Sequence, residues 1–293
     1  MGNSQLDGQH VLVVDSGVGG FTIVEKIRAQ LPSARVSILM DNDFFPYGGK
    51  GEEALRSRLT VLIGTAIDRL GPDLVVVGCN TASTSALAVL RERLPVPIVG
   101  TVPALKPAAA ASASGVIGLI ATETTLSSPY IDDLITSHAG SCRVLRQATP
   151  GLVALAEAKL RRRPVSIWAL REQISRLFDQ EGGGEIDTVV LGCTHFPLLM
   201  PELELAAPWP VSWIDSGAAI ARRVADLLGQ LEAASPAEPP AHQGPAPTAF
   251  VTAWTPGMGV LRQALAARDF SELCYMPSPS GVSVARRPLE MTG

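Results

Sequence analysis

Residues 75–83 read VVVGCNTAS, and residues 189–197 repeat the phrase as VVLGCTHFP. In both segments a short apolar run ends in glycine, and a cysteine followed by a polar residue comes next. Short apolar runs bounded by turn residues are typical of strands buried in a parallel sheet. The two phrases therefore predict two buried strands, each with a cysteine at its carboxyl end.

The same rhythm extends along most of the chain. Apolar runs such as HVLVVD (10–15), RVSILM (35–40) and GVIGLIAT (115–122) alternate with stretches of helical periodicity. A second phrase is also repeated, since VVDSG (13–17) and WIDSG (213–217) both end a strand in Asp-Ser-Gly. Such alternation is typical of α/β proteins, whose ligands bind at the carboxyl ends of the strands. We therefore predict two similar open α/β domains, each a mostly parallel sheet flanked by helices, with the active site in the cleft between them.

Composition excludes several classes of protein. Hydrophobic residues make up 46% of the 293 residues, enough for a sizeable core. The net charge of -4 and the absence of a long basic run argue against nucleic acid as a partner. No apolar stretch reaches the roughly 18 residues that a membrane span needs, and the polar start MGNSQLDGQH is unlike a signal peptide. We expect a cytoplasmic protein that does not bind membranes.

Cysteine usage points to free thiols. No two cysteines have the CxxC spacing of a zinc ribbon or a redox motif, so we expect neither a metal site nor a disulfide framework. In a reducing cytoplasm such thiols persist and can serve catalysis. The cysteines are Cys79, Cys142, Cys193 and Cys274.

Two thiols in one cleft can remove a Cα proton and return it on the opposite face, one acting as thiolate and the other as thiol. A helix N-terminus after each strand can shift a cysteine pKa from about 8.5 towards neutrality. Two alternatives stay open at this point. Both cysteines can be small core residues, or Cys193 can pair with His195 as in a hydrolase, which leaves Cys79 unexplained.

A cofactor is not expected. Pyridoxal phosphate requires a lysine, and none of the four lysines stands in a recognisable cofactor motif. The glycine-rich segment DSGVGG (15–20) lacks the GxGxxG spacing of a dinucleotide site, so it is interpreted as a glycine turn or a carboxylate-binding turn. The lysines are Lys26, Lys50, Lys106 and Lys159.

Five motifs in this order resemble those of the glutamate racemases, from about His10 to Leu228. They are DSGVGG (15–20), FFPYGGK (44–50), GCNTAS (78–83), TETT (122–125) and GCTHFPLL (192–199). The resemblance implies a first domain of residues 1–100 plus about 211–293, with 101–210 as the second. The Ala/Pro-rich stretch 232–247 is expected to be a linker, and the last fifteen or so residues a tail.

By the same resemblance, Cys79 takes the proton from D-glutamate and Cys193 takes it from L-glutamate. Asp15 assists near Cys79, whereas His195 and Glu157 assist near Cys193. Glu157 is carried over from ATPGLVALAE (148–157), which is similar to the family's ACPLFVPLVE. Thr149 replaces the usual cysteine in this segment, and Gly151 and Ala154 are also departures from the family pattern.

The resemblance also implies how substrate is held. The α-amino and α-carboxylate groups contact Ser16, Asn80, Thr81 and Thr194, and Asp15 and His195 also bind substrate. A loop of Pro46, Tyr47 and Gly48 closes over a carboxylate, and Thr122 and Thr125 add hydroxyls there. Asp215 and Ser216, which repeat the first Asp-Ser-Gly, are expected to have structural roles.

Several functions remain in competition. A racemase of the same group acting on aspartate or a related acid is the nearest alternative, although His195 favours glutamate. A related decarboxylase would keep one of the two cysteines, and a non-catalytic binding protein would not require paired thiols. The family further implies a homodimer that supplies D-glutamate for peptidoglycan.

Overall fold

The computed structural model describes residues 8–234 and 247–277, together with the backbone of 286–288. Within these residues, seven strands form a first sheet in the order β11-β10-β9-β2-β1-β3-β4. All its neighbours pair in parallel except β10 and β11. The strands are β1 (His10–Asp15), β2 (Arg35–Met40), β3 (Leu74–Val77), β4 (Ile98–Gly100), β9 (Thr248–Val251), β10 (Glu272–Tyr275) and β11 (Arg286–Pro288).

Another four strands of the described chain form a second, wholly parallel sheet in the order β6-β5-β7-β8. They are β5 (Val116–Ala121), β6 (Arg143–Ala148), β7 (Thr188–Gly192) and β8 (Ser212–Ile214). The resemblance implies that the chain from about residue 211 belongs to the first domain, but β8 pairs with β7 in the second sheet. By sheet membership, the chain therefore returns to the first half after Ile214.

The helices follow the strands as the alternation predicted. The first half contains α1 (Gly20–Gln30), α2 (Glu52–Leu70), α3 (Asn80–Arg93), α10 (Gly217–Ala234) and α11 (Met258–Ala266). The second half contains α4 (Leu105–Ala111), α5 (Glu123–Leu126), α6 (Pro129–Ala139), α7 (Gly151–Leu160), α8 (Ile167–Phe178) and α9 (Met200–Ala206). None of the described helices has the length and apolar character that crossing a bilayer requires.

Side chains on successive strand residues enter different cores. Val11 and Val13 join a cluster with α1 and α10, whereas Leu12 and Val14 join a cluster with α2 and α3. The second sheet is likewise covered on one face by α7, α8 and α9 and on the other by α4 and α6. Burying a Val or Leu side chain fully stabilises the folded state by roughly 1.5–3 kcal/mol relative to leaving it exposed. The prediction of parallel sheets flanked by helices is confirmed.

The expected linker and tail fall largely outside the described residues. Helix α10 continues to Ala234, which overlaps the start of the 232–247 stretch, and 235–246 is not among the described residues. Residues 278–285 and 289–293 also lie outside them. Within the expected tail, however, the backbone of β11 pairs with β10. The sequence pattern predicts neither strand, because short segments without a strong apolar run carry little signal.

Candidate active site

The two cysteines of the repeated phrases lie at matching positions in the two sheets. Cys79 follows β3 and Gly78 and is the N-cap residue of α3, whereas Cys193 directly follows β7. Both are buried, with 8% and 7% of their surfaces exposed. A Cβ on Gly192 would lie 2.8 Å from the Cβ of Ala121, so glycine lets β7 pass close to β5 just before the cysteine. Both cysteines therefore lie at carboxyl strand ends, where ligand sites form in α/β proteins.

A direct hydrogen bond joins the two halves of this site. The hydroxyl of Thr194 donates to Asp15 Oδ2 at 2.9 Å and so connects the loop after β7 to the end of β1. The other oxygen of Asp15 accepts from the backbone N–H of Gly17 at 3.0 Å and from the hydroxyl of Ser16 at 3.3 Å. Burial raises the pKa of Asp15, and these hydrogen bonds only partly offset that effect. Asp15 is thus a fully buried acid held in one orientation.

His195 and Glu157 extend the site behind Cys193. His195 Nδ1 lies 3.9 Å from the sulfur of Cys193, and its Nε2 lies 3.2 Å from Glu157 Oε1. The same glutamate oxygen accepts from the backbone N–H of Val18 at 3.2 Å. Glu157 lies on α7, in the segment that departs from the family pattern at several positions. The fold nevertheless brings it into contact with His195.

Contact between His195 and Glu157 favours the charged form of each residue. Burial by itself lowers the pKa of His195, but its bonds to Cys193 and Glu157 and nearby negative charge raise it from 6.5 to about 10. Burial opposes ionisation of Glu157 too, yet the bond to His195, its charge and the Val18 N–H lower the pKa of that carboxyl overall. The geometry therefore favours an imidazolium that lies between the Glu157 carboxylate and the sulfur of Cys193.

Cys79 has a different setting from the one predicted. Burial raises its pKa well above the ordinary value, and the charges of Asp15 and Cys193 raise it further. The backbone N–H groups of Thr81 and Ala82 at the start of α3 lower it but do not compensate. The expectation that the helix N-terminus would bring this thiol towards neutrality is wrong for this structure, because desolvation and nearby negative charge outweigh the helix.

Three threonine hydroxyls form a cluster that joins α3 to α5. Thr81 Oγ1 lies 2.9 Å from that of Thr122 and 3.2 Å from that of Thr125, which are themselves 2.9 Å apart. Thr124, next to them, donates to the carbonyl of Gly48 at 2.7 Å. The loop at residues 46–48 is thus tied to the second half of the molecule at the hydroxyl cluster.

Tyr47 supports this loop from within the first half. Its hydroxyl donates to Asp41 Oδ2 at 2.9 Å, and only 1% of the residue is exposed. Asp41 also accepts from Thr252 at 2.8 Å and from Arg58, which forms a partly buried ion pair with it. Pro46 follows Phe45 through a cis peptide bond. The Tyr47 side chain therefore faces the core, and the contact with the second half is made by the Gly48 backbone.

Asn80 has hydrogen-bonding capacity left over. It is 2% exposed, and neither its side-chain nitrogen nor its oxygen has a partner among the described residues. Because an unpaired buried amide is costly, such a group is suited to contact a polar ligand. The second Asp-Ser-Gly forms the same local turn as the first, in which the aspartate accepts from the N–H of the glycine two residues later. Asp215 accepts from the N–H of Gly217 at 2.7 Å, a local turn at the start of α10.

Sequence reasoning did not identify Thr22, Asp41, Arg58 or Thr252 as supports of the site. Thr22 donates to the carbonyl of Thr194 at 3.1 Å and so holds the loop that carries Cys193. No local pattern distinguishes these polar residues from others on helices and strand ends. Their contacts span many residues of sequence and become visible only in the structure.

A cavity of about 360 Å³ borders Glu157, and neither Cys79 nor Cys193 contributes to its walls. Its lining includes Gly17, Phe45, Glu157, Arg161, Pro256 and Met258. Both cysteines are buried rather than exposed to this cavity. Among the described residues, no group of three or more His, Cys, Asp or Glu side chains is arranged to hold a metal ion.

Comparisons with known proteins agree with this geometry. The model of the Asp/Glu/Hydantoin racemase family matches residues 21–224. The glutamate racemase of Sphingopyxis alaskensis is 47% identical over 217 residues, which cover 74% of this chain and 81% of that protein. The glutamate racemase of Sodalis glossinidius is 45% identical over 218 residues, 74% of each chain.

Solved structures give the same result for the fold. Escherichia coli glutamate racemase in complex with L-glutamate and the activator UDP-MurNAc-ala superimposes with a TM-score of 0.84 at 41% identity, covering 92% of this chain and 98% of that one. The Thermus thermophilus glutamate racemase in complex with beta-chloro-D-alanine gives 0.69 at 30% identity, covering 92% and 97%. The chain therefore belongs to the Asp/Glu/Hydantoin racemase family, and the four relatives named above are glutamate racemases.

Proposed function

We propose that this chain interconverts L-glutamate and D-glutamate by moving a Cα proton between Cys193 and Cys79, without a cofactor. The observation that carries the proposal is the placement of two buried cysteines at equivalent strand ends of two sheets, joined by the Thr194–Asp15 hydrogen bond. A group on each side of the substrate is what inversion at a carbon centre requires.

For L-glutamate, the thiolate of Cys193 takes the Cα proton and becomes a thiol. The carbanion that forms delocalises into the α-carboxylate, and the thiol of Cys79 gives its proton to the opposite face. The raised pKa of Cys79 keeps it protonated until that step. For D-glutamate the same proton transfers run in reverse, starting with the thiolate on Cys79 and assisted there by Asp15.

Protonated His195 stabilises negative charge on Cys193, and Glu157 holds the imidazolium in place at 3.2 Å. Fixed hydrogen-bond donors near the reacting carbon favour the developing charge, because they need not reorganise during the reaction. In this proposal the donors and acceptors for the α-amino and α-carboxylate groups are Ser16, Asn80, Thr81 and Thr194.

The other carboxylate is held where the two halves of the molecule meet. The backbone of the loop made of Pro46, Tyr47 and Gly48 closes on it, and the hydroxyls of Thr122 and Thr125 complete its surroundings. The hydrogen bond from Thr124 to the Gly48 carbonyl supports this assignment, because it brings the loop and the hydroxyl cluster together. Glutamate as substrate is further supported by the Escherichia coli relative, which was crystallised with L-glutamate.

The physiological role follows from the family. We propose that the enzyme acts in the cytoplasm, as a homodimer, and supplies D-glutamate for peptidoglycan. The division into a first domain (1–100 and about 211–293) and a second (101–210) also remains a proposal, with β8 contributing to the second sheet.

The test is incubation with L-glutamate in D2O, with Cα deuteration followed by NMR and optical rotation by circular dichroism. Wild type should exchange and racemise, whereas Cys79→Ser and Cys193→Ser should each lose racemisation by orders of magnitude, because a serine hydroxyl is a far weaker acid than a thiol. Cys142→Ser, which alters a partly exposed cysteine in neither repeated phrase, is the matched control and should keep full activity.

Two outcomes would overturn parts of the proposal. Turnover of aspartate or a related acid but not glutamate would keep the two-thiol chemistry and replace the substrate. No exchange with any of these acids, from folded protein with free thiols, would instead favour a binding protein on the same scaffold.

A further inference from the structure

Thr149 is a buried hydroxyl with no role in the contacts described so far. It lies between the end of β6 and the start of α7 and is fully buried, with 0% of its surface exposed. Its Oγ1 has no hydrogen-bond partner among the described residues. Buried hydroxyls are nearly always paired, so this one requires an explanation.

The sheet register gives its position. Ala121 on β5 is opposite Ala148 on one side and Gly192 on the other. The backbone N–H of Thr149 donates to the carbonyl of Ala121 at 2.9 Å, so the pairing continues past the strand end. One residue further along, Thr149, Thr122 and Cys193 therefore lie side by side at the edge of the sheet, in that order.

These side chains also share a face. One core cluster contains Ile120, Leu191 and Leu145, as well as Cys193 itself. Ile120 lies two residues before Thr122, Leu191 lies two residues before Cys193, and Leu145 lies four residues before Thr149. Because side chains alternate along a strand, Thr122 and Thr149 project to the same side as Cys193. The unpaired hydroxyl thus extends the row that begins at a proposed catalytic thiol and passes through a proposed substrate-binding threonine.

The distance between Thr149 and Cys193 indicates which part of the substrate Thr149 contacts. Neighbouring strands are about 4.8 Å apart, so Thr149 lies roughly 10 Å from Cys193 along the sheet edge. The α-carboxylate is bonded directly to the reacting carbon and stays near the thiols, whereas the side-chain carboxylate is at the far end of the molecule. We propose that Thr149 donates a hydrogen bond to the side-chain carboxylate of bound glutamate. This rests on the function proposed above and adds a substrate-binding residue to it.

The test compares Thr149→Val, which keeps the shape and removes the hydroxyl, with Thr149→Ser, which keeps the hydroxyl. Loss of a hydrogen bond to a charged group should raise KM for glutamate about tenfold in Thr149→Val. The value of kcat should stay within about twofold, because the thiols are untouched. Thr149→Ser should remain near wild type, and the melting temperature of Thr149→Val should not fall, because no protein hydrogen bond is lost.

Thr188→Val is the matched control. Thr188 is also buried, at 1% exposure, but its hydroxyl bonds to Asp187 far from the cysteine end of β7. Removing that hydroxyl should lower the melting temperature and leave KM unchanged, the opposite pattern from Thr149→Val.

Calorimetric binding of D-glutamate to wild type and Thr149→Val provides a second measurement that does not depend on turnover. An unchanged Kd and KM in Thr149→Val would overturn the inference, as would a loss of affinity matched by an equal loss in Thr149→Ser. If wild type binds but does not racemise, the two-thiol proposal fails, while the Kd comparison still decides the role of Thr149.

Discussion

Replacing Glu157 by glutamine should move the alkaline limit of activity to lower pH. The pKa of His195 is raised from 6.5 to about 10, so at pH 8 only about one molecule in a hundred has a neutral imidazole. Glu157→Gln keeps the shape of the side chain and removes the negative charge at 3.2 Å from Nε2. The charge that stabilises the imidazolium is then reduced.

The size of the effect follows from the contact that is lost. A hydrogen bond to a charged group is worth about 1.5–3 kcal/mol, and each 1.36 kcal/mol corresponds to one pH unit. The basic limb of the kcat/KM profile should therefore fall about one to two pH units earlier in Glu157→Gln. Activity near pH 7 should change only a few-fold, because most of His195 would still be protonated there.

The same change affects stability in a defined direction. Since the pKa of His195 is raised in the folded state, its contribution is complete below pH 6.5 and is lost as the pH rises towards about 10. The free energy of unfolding of wild type should exceed that of Glu157→Gln at neutral pH, and the gap should narrow towards pH 10. Urea unfolding at several pH values measures this.

The assay is the initial rate of racemisation from each enantiomer between pH 6 and about pH 10. Because the enantiomers have equal free energy in water, kcat/KM must fall equally in both directions. Glu202→Gln, which removes a carboxylate paired with Lys159 outside the site, should leave the profile unchanged. A wild-type profile in Glu157→Gln would refute the assignment of the raised His195 pKa to this pair.

Two further substitutions test the supports of the site. Tyr47→Phe removes a buried hydrogen bond to Asp41 and should lower the free energy of unfolding by about 1.5 kcal/mol or more in urea titrations; an unchanged value would mean that Asp41 is satisfied without it. Gly192→Ala would place a Cβ 2.8 Å from that of Ala121. This substitution should lower the free energy of unfolding by about 1–3 kcal/mol and reduce kcat, because it displaces Cys193. Full activity would show that the end of β7 can shift without moving the thiol.

Much of the architecture could be predicted from the sequence, because the burial of a segment and its hydrophobic periodicity depend on neighbouring residues in the chain. Runs such as DLVVVG (73–78) and DTVVLG (187–192) are apolar on both faces and end in glycine, and both formed central parallel strands. The repeated cysteine phrase therefore predicts both thiols at carboxyl strand ends. The assignment of residue roles by resemblance remains a prediction.

Features set by long-range packing could not be predicted. The three-residue strand β8 pairs with β7 at one end of the second sheet. The sequence of β8 does not specify this partner. The Val18–Glu157 bond joins residues 139 positions apart. The pKa of Cys79 follows from desolvation and from charges brought close by folding, so the helix start that the sequence revealed did not decide it. Sequence thus determined the strands and the positions of the thiols along them, whereas the electrostatic setting of each thiol was decided by the tertiary structure, because it depends on which distant groups share its buried surroundings.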